Sequence, residues 1–248
     1  MTRLTGTLAA LILLGAFHHS AAQETLSSGQ RLAREMRRAQ LLNYEKISGS
    51  LRTRGRRGKR SSQDIVLSTH TREEQWRSIF SVTDPNTGNL TRLTIVRGPK
   101  QPPRYFLTQN PKDVNDPATA LEVASEEAMV PLAGTDFWLA DLGLEFFYWP
   151  EQTILTNARI KMRKGISCFV LESRREPATH AGYSRIRSWI SRKHGGLIYA
   201  EAYDSNGKRI KTFEVSDVEK INGEWKLKEL RIRDETAKST TRLSFDNE

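Results

Sequence analysis

From residue 47 onward, apolar residues alternate with polar ones in short runs, and turn-forming residues interrupt those runs at hairpin intervals. A period of two puts alternate side chains on opposite faces of a strand, so this punctuation describes an antiparallel meander. The spacing predicts strands over 47–54, 64–69, 75–83, 90–97 and 104–108. After a different middle region it predicts them again over 158–162, 166–173, 183–191, 197–203, 208–215, 225–233 and 240–245. Asp204-Ser205-Asn206-Gly207 and Asn222-Gly223 are the clearest turns, because asparagine and glycine tolerate positive φ. Alternation points Trp76, Phe80 and Trp189 toward one inner face.

Two stretches break the alternation. Residues 27–39 place Leu32, Met36 and Ala39 at helical spacing behind a serine, which predicts one short amphipathic helix. The middle begins with a proline-rich stretch from Pro99 to Pro117. Residues 116–129 then have helical composition, and a second short apolar helix follows, with Thr135 or Asp136 as its cap. Phe137, Trp138, Leu142, Phe146 and Phe147 concentrate apolar surface in this connecting region. Such surface must pack against something, either as plain core or as a movable cover over an apolar cavity.

The N-terminus carries Arg3, an apolar stretch of roughly ten residues and then Ser20-Ala21-Ala22, the pattern of a cleavable export signal. A membrane-spanning helix needs about twenty residues. The division expected is therefore a signal peptide over 1–22 and one domain over 23–248. Cys168 is the single cysteine, so no intramolecular disulfide forms, and its apolar neighbours predict a buried thiol. The formal net charge of +10 calls for an anionic partner, which outside the cytoplasm means lipid headgroups before nucleic acid. Arg52, Arg54, Arg56, Arg57, Lys59 and Arg60 cluster around one turn. Two readings stand for them, transient docking on an anionic membrane surface and a solvated hairpin tip.

Enzymatic signatures are missing. His70, His180 and His194 have no histidine or cysteine at metal-ligand spacing, and there is no nucleophile elbow, P-loop or dinucleotide fingerprint. The reading is a protein without catalytic residues, metal or cofactor. Nucleic-acid binding is disfavoured because the aromatics lie away from the basic turn instead of interleaving with it.

Several words of the second half resemble the outer-membrane lipoprotein-sorting family of LolA-like periplasmic proteins. They are Gly134-Thr135-Asp136-Phe137 with Asp141-Leu142, Tyr183-Ser184-Arg185 with Trp189-Ile190, Tyr203-Asp204 with Gly207-Lys208, the run from Val215 to Trp225, and Thr241-Arg242-Leu243-Ser244-Phe245. The resemblance implies a mostly β fold with few helices, an incomplete antiparallel β-barrel covered by short lid helices. It implies a monomeric periplasmic carrier that takes acyl chains of lipoproteins or phospholipid into an apolar cavity and passes them to an inner- or outer-membrane transport partner. A lipid-sensing binding module without transport is the alternative. The cavity and lid would comprise Trp76, Phe80, Phe137, Trp138, Leu142, Phe146, Phe147 and Trp189. The lid itself falls on 136–142, and Arg52 or Arg54 would latch it, with Arg56 and Arg57 beside them as headgroup contacts. A carrier must also release its cargo, so the lid's own aromatics are expected to occupy the cavity when it is empty.

Overall fold

A computed structural model describes residues 26–38, 45–110, 120–158, 161–175, 182–221 and 224–246. The expected signal peptide lies outside the described residues. Helix α1 (Ser28–Arg38) forms where the helical spacing predicts it. Ser27 Oγ accepts the Gln30 N–H at 3.2 Å while Gln30 Oε1 accepts the Ser27 N–H at 2.8 Å, so two donors at the helix start are satisfied reciprocally. Leu32, Ala33 and Met36 are buried on one face. Gly29 approaches the backbone of Gln152 so closely that a β-carbon would collide with its carbonyl, which lets the helix lie flat on the sheet.

The first meander comprises β1 (Ile47–Arg54), β2 (Arg60–Arg72), β3 (Gln75–Thr83), β4 (Leu90–Arg97), β5 (Arg104–Gln109) and β6 (Leu121–Val123). The second comprises β7 (Glu151–Ile154), β8 (Met162–Arg163), β9 (Ile166–Arg174), β10 (Arg185–Ser191), β11 (Leu197–Tyr203), β12 (Arg209–Ile221), β13 (Glu224–Asp234) and β14 (Ser239–Phe245). They join in a single 14-stranded sheet of order β6-β5-β4-β3-β2-β1-β14-β13-β12-β11-β10-β9-β7, with β8 on β9 beside this path. Every pairing is antiparallel, and the two meanders meet where β1 pairs with β14. Edge strands β6 and β7 do not pair with each other, so the barrel is incomplete. The chain crosses between these two edges through residues 124–150, which contain helix α2 (Leu139–Gly143) and a 3-10 turn over Glu145–Tyr148.

Alternation sorts the side chains as the sequence pattern requires. Leu51, Ile65, Leu67, Phe80, Leu93, Ile95 and Tyr105 from the first meander share one core with Ile186, Ile190, Phe213, Ile232 and Leu243 from the second. Helix α1 and the 124–150 crossing complete that core, so both lie on the same inner face.

Four departures from expectation stand out here. The helix over 116–129 is absent where described: Leu121–Val123 pairs with β5 as an edge strand and only Ser125–Glu127 turns helically. Pairing with an exposed strand edge outweighs the weak helical propensity of these residues. Strand β7 has no apolar alternation and escapes sequence reading. Strand β2 extends well beyond 64–69 because Arg60-Ser61-Ser62-Gln63 pairs with β1 and Thr71-Arg72 with β3. Of the strand expected over 158–162, β8 retains only its last residue, although residues 159–160 lie outside the described set.

Candidate functional site, a lid latched from within

Residues 128–149 form a lid over the inner face, anchored by apolar side chains. Leu132, Phe137, Leu139 and Phe147 are each at most 1% exposed, and Phe146 and Leu142 are buried beside them. Phe146 and Phe147 pack at 4.5 Å between ring centroids, and Trp138 stacks on Tyr183 at 4.6 Å. The lid aromatics therefore fill the layer between lid and sheet.

Polar groups fasten this lid from underneath. Lys211, on β12, is fully buried. Its Nζ donates to the Asp136 carbonyl at 2.7 Å, lies 3.6 Å from Asp141 Oδ2, and stands 3.5 Å from the centre of the Trp138 ring. Asp141 Oδ1 accepts the Tyr183 hydroxyl at 2.9 Å, and its Oδ2 accepts the Trp138 N–H at 2.8 Å, which caps α2. Asp141 thus performs the capping that the sequence suggested for Thr135 or Asp136. Asp136 instead reaches the sheet, accepting from Ser239 and, at 2.8 Å, from Thr241 Oγ1. Thr241 has spent its proton on Asp136, so Thr53 must donate in the 2.8 Å contact between the two threonine hydroxyls.

Burial dominates the electrostatics of the latch. It pushes the Asp141 carboxyl up and the Lys211 ammonium down, because each loses more hydration than its partner restores. Glu145 accepts the Tyr105 hydroxyl at 3.2 Å and is likewise pushed up by burial, against the pull of Arg175 at 3.9 Å. A carboxyl whose folded pKa is raised contributes stability that is fully present below its unfolded value of about 4.3 and is lost as pH rises through the folded value. Glu145→Gln should therefore melt above wild type at pH 7, where ionising the buried carboxyl carries its full penalty. That advantage should vanish as both proteins are acidified below about pH 4.3. Melting curves across this range check it, and a constant difference would place the cause elsewhere.

A second cationic feature lies where the 145–148 turn meets α1. Arg37 Nε donates to the Phe147 carbonyl at 2.8 Å, and its guanidinium lies 4.9 Å from the centre of the Tyr148 ring. Beside them Arg97 is 7% exposed, its Nε without a partner, and burial pulls it below its ordinary value. Among the described residues no carboxylate lies within ion-pair distance of Arg97.

The structure brings Phe80, Phe137, Trp138, Leu142, Phe146 and Phe147 together at the lid. Trp76 is buried on the same face but at the end of β3, opposite Arg97 in register and outside the main cluster. Trp189 points the other way. It packs with Cys168 and Val170 in a separate small core on the opposite face, under Arg163 at 4.4 Å. Ile186 and Ile190 take the inner positions of β10, which fixes the parity against Trp189. The same parity turns Arg52 and Arg54 outward, since Leu51 faces in, so neither arginine fastens the lid. Arg56 and Arg57 lie on an exposed 3-10 turn. Lys211 was missed as the latch. Its signal was its place two residues before Phe213, which makes it a lysine on the apolar side of a strand. As expected, the Cys168 thiol is buried and free, and burial pushes its pKa up.

Among the described residues, no cluster of three histidine, cysteine or acidic side chains is arranged to hold a metal ion, and no helix is long and apolar enough to cross a membrane.

An incomplete antiparallel barrel with α1 and a crossing lid on one face is the LolA-like fold, and solved structures bear this out. A putative outer membrane lipoprotein-sorting protein domain from Vibrio parahaemolyticus is 16% identical with a TM-score of 0.69, over 88% of this chain and 90% of its own. A DUF1329 family protein from Desulfovibrio piger is 17% identical with a TM-score of 0.67, over 88% and 90%. A LolA superfamily protein from Nitrosomonas europaea is 14% identical with a TM-score of 0.61, over 90% and 93%. At these identities the likeness is one of fold. Residues 118–248 match the model of a family described as "Uncharacterized protein", and the chain belongs to that family. No curated protein matches its sequence.

Proposed function

We propose that this protein is a periplasmic carrier that takes acyl chains of a lipoprotein or phospholipid between sheet and lid and passes them to a membrane partner. The observation that carries the reading is the lid itself: an apolar segment that fills its own binding layer and is held by a buried, incompletely compensated polar latch. Non-glycine residues in the left-handed region, Ala133 at φ 47° and Leu144 at φ 51°, bracket α2 and add backbone strain to the closed form. Strain and desolvated charge raise the energy of the closed state toward that of an open one, while self-filling stabilises the closed empty state and so lowers the net affinity for cargo. The LolA-like fold of the solved structures supports the same reading.

The energetics are those of reversible binding. Enclosing a sixteen-carbon chain contributes about 12 kcal/mol at about 0.8 kcal/mol per CH₂. Returning Phe137 and Phe147 to water costs about 1.5–3 kcal/mol each, and association and ordering cost several more, so the net affinity stays low enough for release. Arg97, buried without a carboxylate beside Tyr148, is placed to meet the anionic end of such a ligand.

The test uses a triacylated lipopeptide and phosphatidylglycerol as separate cargoes. Tryptophan emission should shift on adding one of them, through Trp138, and the protein should speed exchange of that lipid between two vesicle populations. Binding without faster exchange would replace the carrier with a sensing module. If neither cargo binds, the reading fails.

A further inference from the structure

The face turned away from the lid carries a groove of about 880 Å³ that crosses six adjacent strands, from β2 through β1, β14, β13 and β12 to β11. Its floor consists of two rows of cross-strand partners. In one, Arg52 stands opposite Arg242, which stands opposite Arg231. In the other, Arg54 stands opposite Thr240, which stands opposite Arg233. Arg60, at the rim, faces Arg54 in turn. Neighbouring strands are about 4.8 Å apart and same-face residues along a strand about 7 Å, so the guanidinium stems repeat on a lattice of those dimensions.

Like charges directly opposite one another across a sheet are destabilising. Carboxylates relieve only part of this array. Arg231 lies 3.6 Å from Glu214, Arg242 lies 3.3 Å from Glu229, and Arg233 and Arg209 share Glu235 at 3.5 Å each. Arg52, Arg54 and Arg60 have no carboxylate within ion-pair distance among the described residues, and the other four of the seven arginines that line the groove are reached by four glutamates, Glu201, Glu214, Glu229 and Glu235. Ser62, Thr212 and Thr240, of the same parity as the arginines, stand among them with their hydroxyls. Guanidinium groups in a fixed fork, with hydroxyl donors between them, match the oxygens of phosphate. A single small anion would satisfy one or two of these arginines and leave the rest opposed. The volume is that of a site for a whole ligand.

We infer that this groove binds a ligand carrying two or more phosphate groups, held by Arg52, Arg54, Arg231, Arg233 and Arg242. The inference is independent of the lid, because the two sites occupy opposite faces of the sheet. The ligand's phosphates can belong to a soluble molecule or to a headgroup projecting from a membrane, and the shared chemistry is the same.

Calorimetric titration of the full protein with inorganic tripolyphosphate tests it. Wild type should bind one equivalent. Arg52→Ser/Arg242→Ser should weaken binding about tenfold or more while keeping or raising the melting temperature, since opposed like charges are removed. Arg34→Ser/Arg38→Ser on the exposed face of α1 removes the same charge and should change affinity by less than about twofold. Equal losses in the two variants would show diffuse attraction to a basic protein and overturn the inference, as would failure of wild type to bind. Phosphatidylcholine vesicles doped with phosphatidic acid then separate the sources. Sedimentation that tripolyphosphate competes away identifies a headgroup, and tripolyphosphate binding without it identifies a soluble ligand.

Discussion

Lys211→Met should destabilise the protein by about 3–5 kcal/mol, because it leaves Asp141 buried without its cation. Hydrogen bonds from Tyr183 and from the Trp138 N–H remain, so the carboxylate keeps some compensation, but neither donor carries the charge of the ammonium. The second variant matters more than the first. Lys211→Met/Asp141→Asn removes both charges, with the new amide oxygen accepting the Trp138 N–H and its NH2 donating to the Tyr183 hydroxyl oxygen, and should recover most of the loss. Urea unfolding of the wild type, both single variants and the double variant gives the coupling between the two residues. Equal destabilisation in the Lys211 single and the double variant would mean that the pair does not act as a unit, and the latch would lose its main element.

Phe147→Ala is the second large effect. The side chain is fully buried in the core beneath the lid, so its removal should cost about 3–5 kcal/mol through lost burial and an incompletely collapsed void. If the lid aromatics occupy the acyl site, that void has the shape of cargo. The variant should then bind a single-chain fatty acid more tightly than wild type at a temperature where both are folded. Fluorescent fatty-acid titration measures this. Loss of stability with no gain in affinity would make Phe147 ordinary core and separate the lid from the binding layer.

Alternation made most of the sheet legible. It located β1, β3 and β4 to the residue, because buried positions alternate with wetter ones in each, and it placed β11 as well although Ala200, Glu201 and Ala202 are buried in succession. The lid aromatics were legible too, since two runs of four apolar or aromatic residues, 137–140 and 146–149, lie outside a strand pattern and have to be covered. Other elements lacked any such local mark. Leu121–Val123 and Glu151–Ile154 become strands only because a sheet edge is available to pair with them. Trp189 illustrates a different limit: alternation shows that it shares a face with Arg187 but not which face, and the answer depends on Ile186 and Ile190 reaching the core. Lys211 was hidden by its type. A lysine on a strand reads as solvated until the side chain across from it proves to be a buried aspartate from a distant lid.

The crossing between β6 and β7 has a mechanical consequence. Its two ends are tied to the shortest strands on the sheet's main path, three residues at one border and four at the other. A cover hemmed at both sides cannot hinge like a door, so it gives way by fraying. Under the carrier reading, admitting cargo beneath it would first loosen the short ladders at both borders.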